Sequence, residues 1–99
     1  MNESFIPARH TVVRMLKALA NEHRLAIMCL LRNGEVSVHD MLCQLPVSQS
    51  ALSQHLACLR EENLVASRKE AQCVFYRLND DRVAAVIQLI NQLYSQDQQ

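Results

Sequence analysis

A single glycine, two prolines and no tryptophan in 99 residues argue against a sandwich or barrel of many short strands, because such folds use Gly and Pro at their turns. No apolar run exceeds the seven residues from Leu25 to Leu31, far short of the ~20 that a membrane helix requires. A soluble chain is expected. A basic excess is missing too: ten Lys plus Arg balance ten Asp plus Glu, for a formal net charge of zero. Any contact with nucleic acid must therefore come from local placement of charge. Cys29, Cys43, Cys58 and Cys73 form no CxxC pair and follow no signal-peptide pattern, which points to the reducing cytoplasm and not to a disulfide framework. The length leaves room for one domain over residues 1–99 and no second catalytic domain, while 49% apolar content supports a packed core.

What is present is helical periodicity with clear punctuation. Residues 1–7 and the polar tail from Ser95 to Gln99 read as frayed ends. Between Ala8 and Ala20, Val12, Met15, Leu16 and Leu19 recur at helical spacing and predict a first amphipathic helix. Asn21 is placed to cap a second, apolar all round and hence central, which closes near Asn33 and Gly34. Ser37 opens a short third helix that Pro46 ends. Ser48 then caps a fourth, Gln49 to about Glu62, with Leu52, Leu56 and Leu59 inward. From Val65 to Lys69 and from Cys73 to Leu78 the β-formers predict a hairpin. Asn79, Asp80 and Asp81 form an acidic start for a last helix. The expected order is α-α-α-α-β-β-α, mainly helical with a β-hairpin wing.

A helix-turn-helix followed at once by a two-stranded wing is a winged helix-turn-helix, whose second helix enters the major groove. Turning the leucines inward sends Ser50, Ser53, Gln54 and Ala57 outward, with Ser48 at the cap and Gln49 and His55 on the flanks. Amides pair with adenine, and hydroxyls serve base edges or phosphates, whereas an ordinary solvated face shows Lys and Glu. Arg60, Arg68, Lys69 and Arg77 are candidate phosphate contacts on the same side; the alternative is that they only keep the wing soluble, and Glu61, Glu62 and Glu70 weaken the field there. The terminal helices carry more apolar residues than a core this size absorbs: Val12 and Leu16 in the first, and Val83, Val86, Ile87, Ile90, Leu93 and Tyr94 in the last. A twofold dimer through these helices would space two recognition helices about one DNA turn apart. Intramolecular burial is the alternative.

Three stretches carry a resemblance: LKALANEHRLAIMCLL at Leu16 to Leu31, SQSALSQHLACLREENLV at Ser48 to Val65, and RKEAQCVFYRL at Arg68 to Leu78. In this order and separation they resemble the ArsR/SmtB winged-helix repressors, most of all the redox and reactive-sulfur branch of HlyU, BigR and SqrR. The resemblance implies a homodimeric regulator of operator DNA whose affinity answers a small-molecule or redox signal.

The metal sites of that family are not reproduced. Its ELCVCDL-like cysteine pair would fall within Glu35 to Met41, which holds no cysteine, and the last helix has no histidine. His39 with Cys43 and His55 with Cys58 lack further ligands, so no metal and no cofactor are expected. The branch also implies two thiols, one in the second helix and one late in the last. Cys29 matches the first; Ser95 stands where the second belongs, and a serine cannot form a disulfide. Cys29 is thus a redox-sensing candidate, with packing as a small hydrophobe the alternative. Two functions follow: a DNA-binding regulator or, since net charge is zero, a winged-helix module that binds protein. An enzyme is not expected, because no second domain forms a cleft and Gly34, alone, builds no phosphate loop.

Overall fold

A computed structural model describes residues 8–95, so the expected frayed ends, 1–7 and 95–99, lie outside the described residues except for Ser95. Helix α1 spans Arg9–Leu19 and α2 spans Glu22–Leu30. Asn21 caps α2 by accepting from the amides of His23 and Arg24 at 3.0 Å each, and the Arg24 guanidinium donates back to the Ala18 carbonyl at 2.6 Å. These bonds fix the α1–α2 elbow. A 3-10 turn, Leu31–Asn33, then ends at Gly34, whose φ of 135° is open to glycine and strained for other residues.

The chain next forms an element that the sequence did not announce. Strand β1, Val36–Ser37, pairs antiparallel with β3, and the sheet has three strands in the order β1-β3-β2. Helix α3 spans Val38–Gln44 and α4 spans Gln49–Glu61, capped by the Ser37 and Ser48 hydroxyls, each accepting at 3.0 Å from the amide three residues on. Helix α4 ends in a Schellman turn. Asn63 adopts φ 62°, with its amide bonded to the Arg60 carbonyl and that of Leu64 to Leu59. The hairpin follows directly: β2, Val65–Glu70, and β3, Cys73–Leu78, pair from Val65 with Leu78 to Glu70 with Cys73. Helix α5, Asp81–Tyr94, is capped by Asp80. Ser95 follows as its C-cap, with helical dihedrals.

The core lies where α2 meets α4, α5 and the sheet. Ile27 and Met28 of α2 are fully buried with Met41, Leu52, Leu56, Leu59 and Leu64. Two residues expected on a partner surface belong here instead. Val83 and Ile87, at 5% and 0% exposure, point into the protomer because α5 lies against α2 and the end of β3. The apolar arc of α5 is wider than one interface, and its inner half closes the core.

Candidate nucleic-acid interface

The recognition-helix geometry follows from the leucine stripe. With Leu52, Leu56 and Leu59 at 3% exposure or less, the 3.6-residue period sends Ser50, Ser53, Gln54 and Ala57 to the opposite side, and all four are exposed, as are Ser48 and Gln49. Beside this face the wing and α3 enclose a concavity of about 600 Å³, with Gln49, Ser53 and Arg60 on one wall and His39, Gln72 and Cys73 on others. Arg60 donates to the Ser67 hydroxyl at 3.2 Å, tying the end of α4 to the wing.

Strand alternation sorts the basic residues of the wing. Ser67 and Lys69 share the face to which Arg60 reaches, whereas Ala66, Arg68 and Glu70 share the other with Phe75 and Arg77. Lys69 therefore accompanies Arg60 beside the recognition helix. Arg68, expected as a phosphate contact, is already engaged: it donates to both Glu35 oxygens at 2.6 and 2.8 Å and to Glu70 at 2.8 Å. Its guanidinium also stacks over the Phe75 ring at 4.6 Å. The hydrogen bonds from Arg68, with its charge and that of Arg77, hold the Glu35 carboxyl below its ordinary value. Arg77 is exposed on that same outer face.

His55, expected on the flank of the reading face, turns away from it. It is half-buried, its ring 5.6 Å from that of His23 at the start of α2. Burial first, then the charges of Arg24 and His23, lower its pKa. The fold thus prefers neutral His55.

Two further sites can be placed. Cys29 is half-buried, and the Asn91 amide nitrogen of α5 lies 3.2 Å from its sulfur while donating to the Ile87 carbonyl at 2.9 Å. Ser95 is one turn beyond Asn91 along α5, the position from which a thiol would face α2. His39 and Cys43 also meet, Nε2 to Sγ at 3.8 Å, but among the described residues no group of three His, Cys, Asp or Glu could hold a metal ion. On α1 and α5 the exposed large apolar residues are Val13, Leu16, Leu89, Leu93 and Tyr94, with Val12, Val86 and Ile90 half-buried. Val13 and Leu89 were missed. Each lies off the main stripe of its helix, and only the packed orientation reveals it as outward.

Comparison with known proteins agrees with this fold. Residues 21–67 match the model of bacterial regulatory proteins of the arsR family. The transcriptional activator HlyU of Vibrio cholerae is 54% identical over 87 residues, covering 88% of this chain and 81% of that protein. A biofilm growth-associated repressor of Agrobacterium fabrum is 40% identical, with 84% and 71% covered. Among solved structures, reduced HlyU from V. cholerae superposes with a TM-score of 0.89 at 48% identity over 94% of this chain and 98% of that one. A homodimeric winged helix-turn-helix DNA-binding domain from Mycobacterium bovis superposes at 0.80 and 28% identity, with 98% and 90% covered.

One prediction follows from His55. Its folded pKa lies below the unfolded value, so the unfolded chain binds the proton more readily; the stabilisation is complete above about pH 6.5 and is lost as pH falls from there through the lowered value. Urea midpoints at fixed protein concentration should drop between about pH 7.5 and about pH 5.5, and drop less in His55→Gln. Equal drops in both proteins would place the acid sensitivity elsewhere.

Proposed function

Because the chain belongs to the arsR family of bacterial regulatory proteins, with the winged-helix fold of its transcriptional regulators, we propose that it binds operator DNA as a cytoplasmic homodimer, acting as one winged-helix unit over residues 1–99. The outward face of α4 carries the proposal. Ser50, Ser53, Gln54 and Ala57 offer hydroxyls, an amide and a methyl with no Lys or Glu among them, a surface suited to base edges and poorly suited to mere solvation. Ser48 and Gln49 at its start, with Arg60 and Lys69 beside it, supply backbone contacts. The relatives named above are regulators, and the activity proposed is binding without a catalytic step.

Symmetric pairing of α1 and α5 supplies the dimer. Leu93 and Tyr94, at 64% and 61% exposure, with Leu16 and Leu89, are apolar side chains left uncovered among the described residues. The homodimeric state of the M. bovis domain supports a homodimer.

In this chain a thiol response would rest on Cys29 without a partner on α5. The Asn91 amide nitrogen lies 3.2 Å from its sulfur, and a sulfur donor or oxidant can cap a single cysteine.

Three measurements test the proposal. Gln54→Ala and Ser50→Ala should each weaken binding to the duplex that the chain selects from a random pool by about 1 to 3 kcal/mol, with melting and assembly unchanged. Affinity within twofold of the parent for both would remove α4 as the reading element. Leu93→Glu should sediment as a folded monomer with reduced operator affinity, whereas Ile87→Glu should fail to fold, since Ile87 is fully buried. A folded Leu93→Glu dimer would move the interface off α5. Polysulfide treatment should leave Cys29 unlinked to α5, while Ser95→Cys should gain that cross-link and lose DNA affinity on treatment; mass spectrometry showing equal cross-linking in both would refute the assignment of Ser95.

A further inference from the structure

The outer face of the sheet carries a charged cluster to which base reading by α4 gives no role. Arg68 sits on the edge strand β2, three residues before Ala71, where the Ala71–Gln72 turn at the wing tip starts. It reaches across the central strand β3, over Phe75, to Glu35 just ahead of β1. All three of its nitrogens donate to carboxylates: Nε and Nη2 to Glu35, and Nη1 to Glu70. A phosphate would need that same planar fork, since carboxylate and phosphate both accept the guanidinium in a bidentate way. The Arg68 side chain is nonetheless 48% exposed, so once released it would be close enough to the tip to reach a DNA backbone.

We propose that Glu35, assisted by Glu70, stands in for DNA phosphate on Arg68 and thereby holds down the wing's affinity for DNA of any sequence. The inference rests on the operator-binding reading above. A DNA phosphate gains Arg68 only by displacing a bidentate carboxylate already in place, so the gain of one pair is offset by the loss of another. Backbone contacts carry no sequence information, whereas the α4 contacts do. Withholding one cation per protomer therefore lowers non-specific binding more than operator binding and widens the ratio between them. Glu35 becomes a specificity-determining residue that never touches a base. Lys69, on the opposite face of β2, is left as the backbone contact of the wing.

The test uses the full chain and charge-removing changes at exposed positions, with gel filtration and melting as checks of fold and assembly. Binding to a random-sequence duplex and to the duplex selected from a random pool is followed against salt for the parent, Arg68→Gln, Glu35→Gln/Glu70→Gln, and all three changes together. The double variant should bind the random duplex roughly tenfold tighter near 0.1 M salt, with a log-log slope steeper by about two per dimer, one for each Arg68. Its ratio of selected to random affinity should fall. Arg68→Gln alone should keep the parental slope, and the triple variant should return to it. A flatter slope in Arg68→Gln would mean that Arg68 already grips phosphate and would overturn the inference. So would a triple variant that keeps the steeper slope, because loss of negative charge would then suffice, and so would an unchanged double variant. If the parent bound neither duplex, the operator-binding reading itself would fall and this inference with it; binding with unaltered slopes would sink the inference alone.

Discussion

The packing of α4 against α2 is the contact on which the rest depends. Leu52, Leu56 and Leu59 enter the core beside Ile27 and Met28, all nearly inaccessible. A helix with one face so committed cannot choose its other face. A rotation of about 100°, one residue of helix, would bring serine and glutamine into the core without partners and set leucine in water, both unfavourable. The chemistry offered outward is therefore a by-product of hydrophobic burial. The two ends of α4 make the placement firmer: the Ser48 cap satisfies the first turn, and the Schellman turn through Asn63 leads without a loop into β2. Helix α4 and the wing are joined at one corner.

Electrostatics reaches the same place by subtraction. Arg14 pairs with Glu62, Arg68 with Glu35 and Glu70, and Arg82 with Asp80. Such exposed pairs contribute little to stability, but they cancel field locally. Arg60 and Lys69 are in no ion pair among the described residues, and both lie beside α4. A chain of zero net charge can thus present a positive edge at one place. Arg9, Lys17, Arg24, Arg32 and Arg77 are likewise outside these ion pairs; what marks this edge is that its two cations adjoin the hydroxyl and amide face of α4.

Much of this was legible in the sequence because it is local. Caps at Asn21, Ser37 and Ser48, the acidic start of the last helix, the inward leucines and the hairpin all follow from residues within a few positions of one another. What was not legible depends on separation. Strand β1 is two residues long, too short to show any period, and exists only because β3 arrives from far along the chain to pair with it. Glu35 and Arg68 are 33 residues apart, and His55 meets His23 across the α2–α4 contact. Charge type announced Arg68 as a phosphate ligand; only the fold shows its fork already occupied.

Helix α5 shows why the apolar stripe alone could not assign the partner surface. Val83, Ile87 and Asn91 follow one another at four-residue steps and face α2, while Leu89 and Leu93, also four apart, face outward with Tyr94. One helix therefore closes the core with one side and offers an interface with the other. Helix α2 lies between this helix and α4, touching both. Its buried residues are close-packed, and such interiors transmit displacement instead of absorbing it. In the proposed dimer the spacing of the two reading helices is then set through α2, from an outer face of α5 to the serines of α4. Cys29, on α2 and against Asn91, sits where α2 meets α5.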